Sequence, residues 1–268
     1  MRDRLAGRRG YPSVSMVAMR SVGIIPARYG STRFPGKPLA PIAGRPMVQH
    51  VYERAVRASS LSEVRVATDD DRIAEACRGF GAAVAMTSST HPTGTDRLAE
   101  AAAEMECDIV VNIQGDEPLI DPDLIDRCVE ALAEDPDVEM ATVVHPAGAD
   151  AGNDPNRVKV VLDGRDRALY FSRSPIPARR DTPTSLPKDR YLQHVGLYAY
   201  RRDFLLEFVK LPQTPLELSE SLEQLRALEH GFGIRTVVVE GWESMAVDIP
   251  EDIERVEQTI RESETSSP

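Results

Sequence analysis

The sequence predicts an α/β fold, a doubly wound and mostly parallel sheet with helices on both faces and a smaller β-rich region in its second half. Three observations carry that reading. Short apolar runs rich in Val and Ile, at residues 22–25, 64–67, 109–113 and 140–144, have the length and composition of buried parallel strands. Between them lie segments whose apolar residues recur every three or four positions, as helices with one face on a sheet require. Strand after strand also ends in a polar turn, as at Thr68-Asp69-Asp70-Asp71 and Gln114-Gly115-Asp116-Glu117-Pro118, where open α/β sheets gather ligands.

The first strand, with Val22, Ile24 and Ile25, is broken by Pro26 and passes directly into a basic loop. That loop sets Arg28, Arg33 and Lys37 beside Gly30, Ser31, Thr32 and Gly36. Cations, hydroxyls and backbone N–H groups thus converge at a strand end, as a polyphosphate requires. It is not a Walker loop, because five residues rather than four separate Gly30 from Gly36-Lys37, and Pro38 stands where that loop needs a hydroxyl. The bland alternative is a basic surface loop; its position at the end of the first strand outweighs this.

Val48, Val51, Tyr52, Ala55 and Val56 then mark a helix with Pro46 in its first turn. A strand at 64–67, a helix through Ile73, Ala74 and Cys77 closed by Gly79 and Gly81, a strand at 83–86, a polar loop at 87–95 and a helix over 96–105 continue the alternation. The strand at 109–113 is the strongest and brings Asp116 to the same sheet edge. A helix over 122–134 and a strand at 140–144 complete the layer. Beyond residue 150 the pattern changes. Runs at 158–162 and 168–171 form a hairpin about Asp163-Gly164, and residues 175–187 form a proline-rich loop expected to move. A strand at 195–200, helices at 202–210 and 217–230, a strand at 234–239 and a helix over 250–261 follow. The predicted organisation is an unstructured extension over 1–20, one domain over 21–263 with a sub-region inserted at about 150–215, and a tail over 264–268.

Forty-three acidic against 32 basic residues, a net charge of -11, argue against a general nucleic-acid binder, whose affinity comes from neutralising phosphates. No stretch approaches a membrane span or a signal-peptide core. Cys77, Cys107 and Cys128 lack CxxC spacing and suit reduced thiols in the cytoplasm.

Asp116 and Asp248 each follow an apolar run and precede a proline. Singly, each reads as a turn or cap residue. Beside the basic loop the pair reads as a site for Mg2+, which binds through one or two carboxylates plus substrate phosphates. Asp69, Asp70 and Asp71, and the pair Asp121 and Asp123, fall at helix starts and read as caps. Asp121-Pro122-Asp123 also mimics the acidic motif of nucleotide-sugar glycosyltransferases, a reading discounted by the proline and the helix start. Arg97 and Arg173 offer a second set of cations suited to a carboxylate-bearing substrate. The five histidines lack metal-ligand spacing; His194, heading a strand, is the one placed toward the cleft. Glu223 and Gln224 share a leucine-rich helix, where spacing leaves a ligand role open.

Several long blocks, in one order, resemble the 3-deoxy-manno-octulosonate cytidylyltransferases, or CMP-Kdo synthetases. They are Pro26-Ala27-Arg28-Tyr29-Gly30-Ser31-Thr32-Arg33-Phe34-Pro35-Gly36-Lys37-Pro38, Thr95-Asp96-Arg97, Gln114-Gly115-Asp116-Glu117-Pro118, Tyr170-Phe171-Ser172-Arg173, His194-Val195-Gly196-Leu197-Tyr198 and Leu222-Glu223-Gln224-Leu225-Arg226. The likeness spans about residues 21–261. It implies a Rossmann-like nucleotidyltransferase fold and a cytosolic enzyme that couples CTP with 3-deoxy-D-manno-octulosonate (Kdo) to give CMP-Kdo and pyrophosphate for lipopolysaccharide assembly. A magnesium requirement and a homodimer formed through the smaller region are also implied.

By matching position, Pro26, Ala27, Arg28, Ser31, Thr32, Arg33 and Lys37 would hold the nucleotide, with Arg97 beside it. Asp116 and Asp248 would bind the metal. Gln114, Arg173, His194, Glu223 and Gln224 would contact Kdo. The reaction expected from these residues is in-line attack by the anomeric hydroxyl of Kdo on the α-phosphorus of CTP, with Arg28, Lys37, Asp116 and Asp248 as the catalytic set. One block departs: the family commonly reads Gly-Val-Asp-Thr-Pro-Glu-Asp where this chain has Ala246-Val247-Asp248-Ile249-Pro250-Glu251-Asp252, which loses a hydroxyl and stiffens the turn. The rival readings are a cytidylyltransferase for 8-amino-Kdo or a sialic-acid-like sugar, and a glycosyl-transferring or nucleotide-sugar-binding protein that releases no pyrophosphate.

Overall fold

The structure, a computed structural model of the chain, describes residues 19–30, 34–178 and 191–265. The first half alternates as expected. Strand β1 (Ser21–Ala27) leads through a 3-10 turn at Lys37–Leu39 and a small hairpin, β2 (Pro41–Ile42) and β3 (Arg45–Pro46), into α1 (Met47–Ala55). Then come β4 (Leu61–Thr68), α2 (Asp71–Gly79), β5 (Ala83–Met86), α3 (Gly94–Ala103), β6 (Ile109–Asn112), α4 (Pro122–Glu134) and β7 (Met140–Ala147). The second half holds α5 (Ala149–Asn153), the hairpin β8 (Lys159–Leu162) and β9 (Ala168–Ser172), then β10 (Tyr191–Arg201), α6 (Arg202–Phe208), α7 (Pro215–Glu220), α8 (Gln224–Glu229), β11 (Ile234–Val238) and α9 (Asp252–Thr265).

One nine-stranded sheet runs in the order β11-β7-β10-β6-β1-β4-β5, with β8 and β9 attached through β10. Strand β1 lies parallel to both β4 and β6, β4 to β5, and β7 to β11; β10 runs antiparallel between β6 and β7. The sheet is therefore mixed but mostly parallel. Its β1, β4, β5 and β6 turn their carboxyl ends to one edge, so the loops after them meet there.

Alternation along β1 sends Val22 and Ile24 to one face, packed with Leu98, Ala102 and Phe204 of α3 and α6. Ile25 and Ala27 belong to the other cluster, with Val48 and Val51 of α1 and Ile125 of α4. A third, small cluster joins Ile42 and Met47 to Val247 and Val256, folding α9 back onto the β2–β3 hairpin.

Local signals explain several boundaries. The Asp70 carboxylate accepts from the Arg72 and Ile73 N–H groups and caps α2. A reciprocal capping box between Thr93 and Asp96 starts α3. Asp121 accepts from the Asp123 N–H and caps α4, so its oxygen serves the helix and the acidic-motif reading has no support there.

Three expectations are corrected. Pro26 does not stop β1, which continues to Ala27 opposite Thr68. Ile24 turns its C=O to β6, accepting from the Ile113 N–H, and Pro26, two residues on, faces its missing N–H to that side beyond the last paired residue, Asn112. The helix expected over 217–230 is two short helices, because Ser221 adopts a left-handed φ of 52°. The last helix starts at Asp252 rather than at residue 250, and it reaches Thr265.

Residues 1–18 of the expected extension, 179–187 of the proline-rich loop and 266–268 of the tail lie outside the described residues. Arg20 is already tied in, its N–H donating to Asp108 at 2.7 Å. The 150–215 stretch contributes β10 to the middle of the main sheet.

Candidate active site

At the edge where β1 and β6 end, a cavity of about 290 Å³ opens between those strand ends, the start of α3 and the segment leading into α9. Pro26, Ala27, Arg28, Lys37, Arg97, Gln114, Asp116 and Asp248 line it together. Residues distant in sequence meet because the strands are parallel neighbours. Gly36 turns the basic loop through φ 73°, and its N–H donates to the Tyr29 carbonyl at 2.9 Å, closing that loop. At Gly115 a Cβ would lie 3.2 Å from the Pro26 carbonyl oxygen, so glycine lets the two strand ends approach.

Lys37 Nζ lies 2.8 Å from Asp116 Oδ2 and 3.8 Å from Asp248 Oδ1. The two carboxylates thus face one another across a single positive charge. That donor set fits a hard divalent cation of the magnesium type, whose remaining ligands come from phosphate and water. Among the described residues no group of three His, Cys, Asp or Glu side chains that could hold a metal is present, so phosphate oxygens would have to complete the shell. Arg28 is exposed at the rim. Arg97, 4% exposed, is fixed in the wall by Asp69 at 3.2 Å and the Thr87 hydroxyl; it supplies a positive wall rather than a mobile arm. Ser31, Thr32 and Arg33 lie outside the described residues.

The other expected contacts, Gln114 apart, are not among the residues that line this pocket. Glu223, raised above the usual carboxylate range by burial, accepts from the hydroxyl of Thr95, the neighbour of pocket-lining Gly94. Gln224 is buried, and its Nε2 has no partner among the described residues. His194 is half-buried, with Phe171 edge-on at 5.2 Å and Tyr198 at 5.1 Å. Its Nε2 lies 3.0 Å from Thr142 Oγ1, and burial pushes the imidazole down to about 3. Arg173 is not among the residues lining the cavity. Its guanidinium donates to the carbonyls of Glu220, Pro155 and Ser221 at 2.7, 2.9 and 3.3 Å.

Sequence reasoning missed His91, Thr93 and Gly94, which line the pocket from the polar loop before α3. His91 Nε2 meets Glu100 Oε2, and this contact holds the Glu100 carboxyl below its usual range. The run His91-Pro92-Thr93-Gly94 was the available signal: a histidine just ahead of a helix cap at a strand edge. It also missed Lys159, fully buried at the root of the β8–β9 hairpin, which donates to the Asp154 and Arg173 carbonyls at 2.9 and 2.5 Å.

Comparison with known proteins gives three findings. Residues 22–242 match the family model described as cytidylyltransferase. A 3-deoxy-manno-octulosonate cytidylyltransferase from Geobacter sulfurreducens is 56% identical over 256 residues, covering 91% of this chain and 100% of the relative; one from Syntrophobacter fumaroxidans is 55% identical over 242 residues, covering 89% and 96%. A solved structure of CMP:2-keto-3-deoxy-manno-octonic acid synthetase complexed with CTP matches with a TM-score of 0.85 at 46% identity, over 91% of this chain and 99% of that one.

Proposed function

This chain belongs to the cytidylyltransferase family, and from that premise we infer that it is a 3-deoxy-manno-octulosonate cytidylyltransferase. It transfers the cytidylyl group of CTP to Kdo, giving CMP-Kdo and pyrophosphate, the activated sugar for lipopolysaccharide assembly. The observation that carries this reading is the convergence of Lys37, Asp116 and Asp248 beside Arg28 in one pocket, on a chain whose relatives of that name match it over nine-tenths of its length.

In the reaction the anomeric hydroxyl of Kdo attacks the α-phosphorus as the bond to pyrophosphate breaks in line. Arg28 and Lys37, with Ser31, Thr32 and Arg33 of the same loop, hold the triphosphate and meet the charge that grows on the leaving group. Pro26 and Ala27 form the floor under the nucleotide, and Arg97 stiffens its wall. Asp116 and Asp248 would hold Mg2+, which would neutralise phosphate charge and polarise the attacked centre. Lys37, held between the same two carboxylates at 2.8 and 3.8 Å, keeps its ammonium at the place where the phosphates meet the metal-binding pair. Gln114 at the pocket and His194, Glu223, Gln224 and Arg173 around it form the side that receives the acidic sugar.

We place the enzyme in the cytoplasm as a homodimer. Leu169 on β9 and Leu216 and Leu218 on α7 are 60, 40 and 61% exposed, and Glu220 binds the Ser172 hydroxyl of β9, so these apolar side chains sit on adjoining elements that a second copy would cover. Among the described residues no helix is long and apolar enough to cross a membrane.

The test is pyrophosphate release from CTP and magnesium with a panel of acceptors. Release that requires Kdo and is not supported by a sialic acid is the expected result. Equal release with both would sink the assignment of the sugar, and no release with any would sink the reaction.

A further inference from the structure

We propose that Glu117 is a positioning residue that latches the segment 244–248 onto the loop after β6 and so holds Asp248 opposite Asp116. The proposal rests on reading Asp116 and Asp248 as the metal pair.

Residues 239–251 form neither strand nor helix, so the chain that delivers Asp248 has no ladder of its own to fix it. Its position comes from bonds to the β6 loop instead. Glu117 is 7% exposed, and its Oε1 accepts from the Ser244 hydroxyl. The Met245 backbone N–H donates to the same carboxylate. One residue back in the loop, the Asp116 carbonyl accepts from the Val247 N–H at 2.9 Å. Adjacent residues 116 and 117 therefore grip 244, 245 and 247, and residue 248 is the next to emerge. Downstream, the Asp252 carboxylate accepts from the Asp248 and Ile249 N–H groups at 2.8 and 3.1 Å. Asp248 is thus pinned from both sides within reach of Lys37.

Stability alone does not explain a carboxylate at this place. The other oxygen of Glu117, Oε2, is buried without a partner among the described residues. An apolar side chain would remove that desolvation penalty. What it could not do is accept bonds from Ser244 and Met245. The side chain thus buys the register of the metal pair, as groups behind metal ligands do.

The test uses the full chain and two readouts: magnesium activation of pyrophosphate release, and Mn2+ affinity in the presence of CTP, measured by the electron paramagnetic resonance of free Mn2+. Glu117→Leu is expected to weaken Mn2+ binding and to raise the half-activating magnesium concentration by about 10- to 100-fold. Glu117→Gln, which keeps an acceptor for Ser244 and Met245, is expected to restore most of the affinity. Ser244→Ala, which leaves the β6 loop untouched, is expected to show a smaller shift of the same sign with an unchanged melting temperature, and it stands in should Glu117→Leu fail to fold. Wild-type Mn2+ affinity in a folded Glu117→Leu or in Ser244→Ala, or equal losses in Glu117→Leu and Glu117→Gln, would overturn the latch. Asp248→Asn serves as the control: if it leaves Mn2+ affinity unchanged, the metal-pair reading has failed; if it weakens binding while the Glu117 and Ser244 variants do not, the latch alone has failed.

Discussion

Lys37, Asp116 and Asp248 keep 14, 31 and 51% of their side chains exposed, whereas Arg226 and Glu217, packed behind Glu223, keep 7 and 6%. The proposed nucleotide and sugar flanks of the pocket therefore use charge differently. On the nucleotide flank, charges face solvent and each other, where a phosphate or a metal can displace one partner at small cost. On the sugar flank, Arg226 holds Glu217 through two bonds, at 2.8 and 2.5 Å, and reaches Glu223 at 3.6 Å. Arg173 holds three backbone carbonyls nearby. Those cations order the chain that carries Glu223 and Gln224. The contrast is one of proportion: beside the buried Arg97 of its wall the nucleotide flank keeps charges open to a ligand, whereas the cations of the sugar flank are committed to the chain itself.

The comparison is most sharply broken at Arg226. Arg226→Met leaves Glu217 buried without its counter-ion, and the loss of stability expected is about 3–5 kcal/mol by urea unfolding. Adding Glu217→Leu should recover much of it. A loss no greater than the roughly 0–1 kcal/mol typical of exposed pairs would place this pair in the same class as those of the nucleotide flank. Asp116→Asn should do the reverse: turnover falls by about 10²- to 10³-fold while circular dichroism and melting stay near wild type, because the half-exposed carboxylate contributes little to the fold. Near-normal turnover would remove Asp116 from the reacting centre. A smaller effect is expected for Thr95→Val, which strips Glu223 of its hydroxyl donor, at about 1–3 kcal/mol. Glu223 is already raised by burial, so its contribution is present at acid pH and lost as pH rises through its folded value; the variant should steepen that loss. A stability curve parallel to wild type between pH 5 and about 8 would show that the hydroxyl does not bear on the charge.

The nucleotide flank was the more legible of the two in sequence. Its signals are local: Gly36-Lys37 after a strand, and Asp116 just past the end of β6, whereas the apolar run expected ahead of Asp248 forms no strand. The caps at Asp70 and Asp121 were readable for the same reason, each being an acidic residue directly before a helical pattern. The sugar flank depends on distant contacts. Leucines at 218, 222, 225 and 228 suggested one helix, yet Leu218 is 61% exposed, and the chain turns at Ser221, whose carbonyl is held by Arg173. No local pattern announces a serine in the left-handed region. The position of β10 between β6 and β7 was equally hidden, because strand order is set by pairing across the sheet. The grip of Glu117 on Ser244 joins residues 127 apart in sequence.

The finest test of the sugar flank is its response to acid at His194. The ring sits between Phe171 and Tyr198 with Thr142 on Nε2, and burial lowers it from an ordinary value of 6.5 to about 3. The unfolded chain takes up a proton near 6.5 that the folded chain refuses. This contribution is therefore complete above pH 6.5 and is lost progressively as pH falls toward 3, with a slope of at most about 1.4 kcal/mol per pH unit. Glutamine at this position cannot protonate and keeps a polar group for Thr142. His194→Gln should accordingly match wild type within about 1 kcal/mol at neutral pH and fall less steeply between about pH 6 and 4.5, as read by urea midpoints at each pH. Raised carboxyls such as Glu117 and Glu223 pull in the opposite direction, since their contribution grows as pH falls. Their opposing slope is common to wild type and variant, so the difference between the two curves isolates the imidazole. Equal slopes would mean that His194 titrates as freely as a surface histidine, and that the sugar flank is as open as the nucleotide flank it is contrasted with.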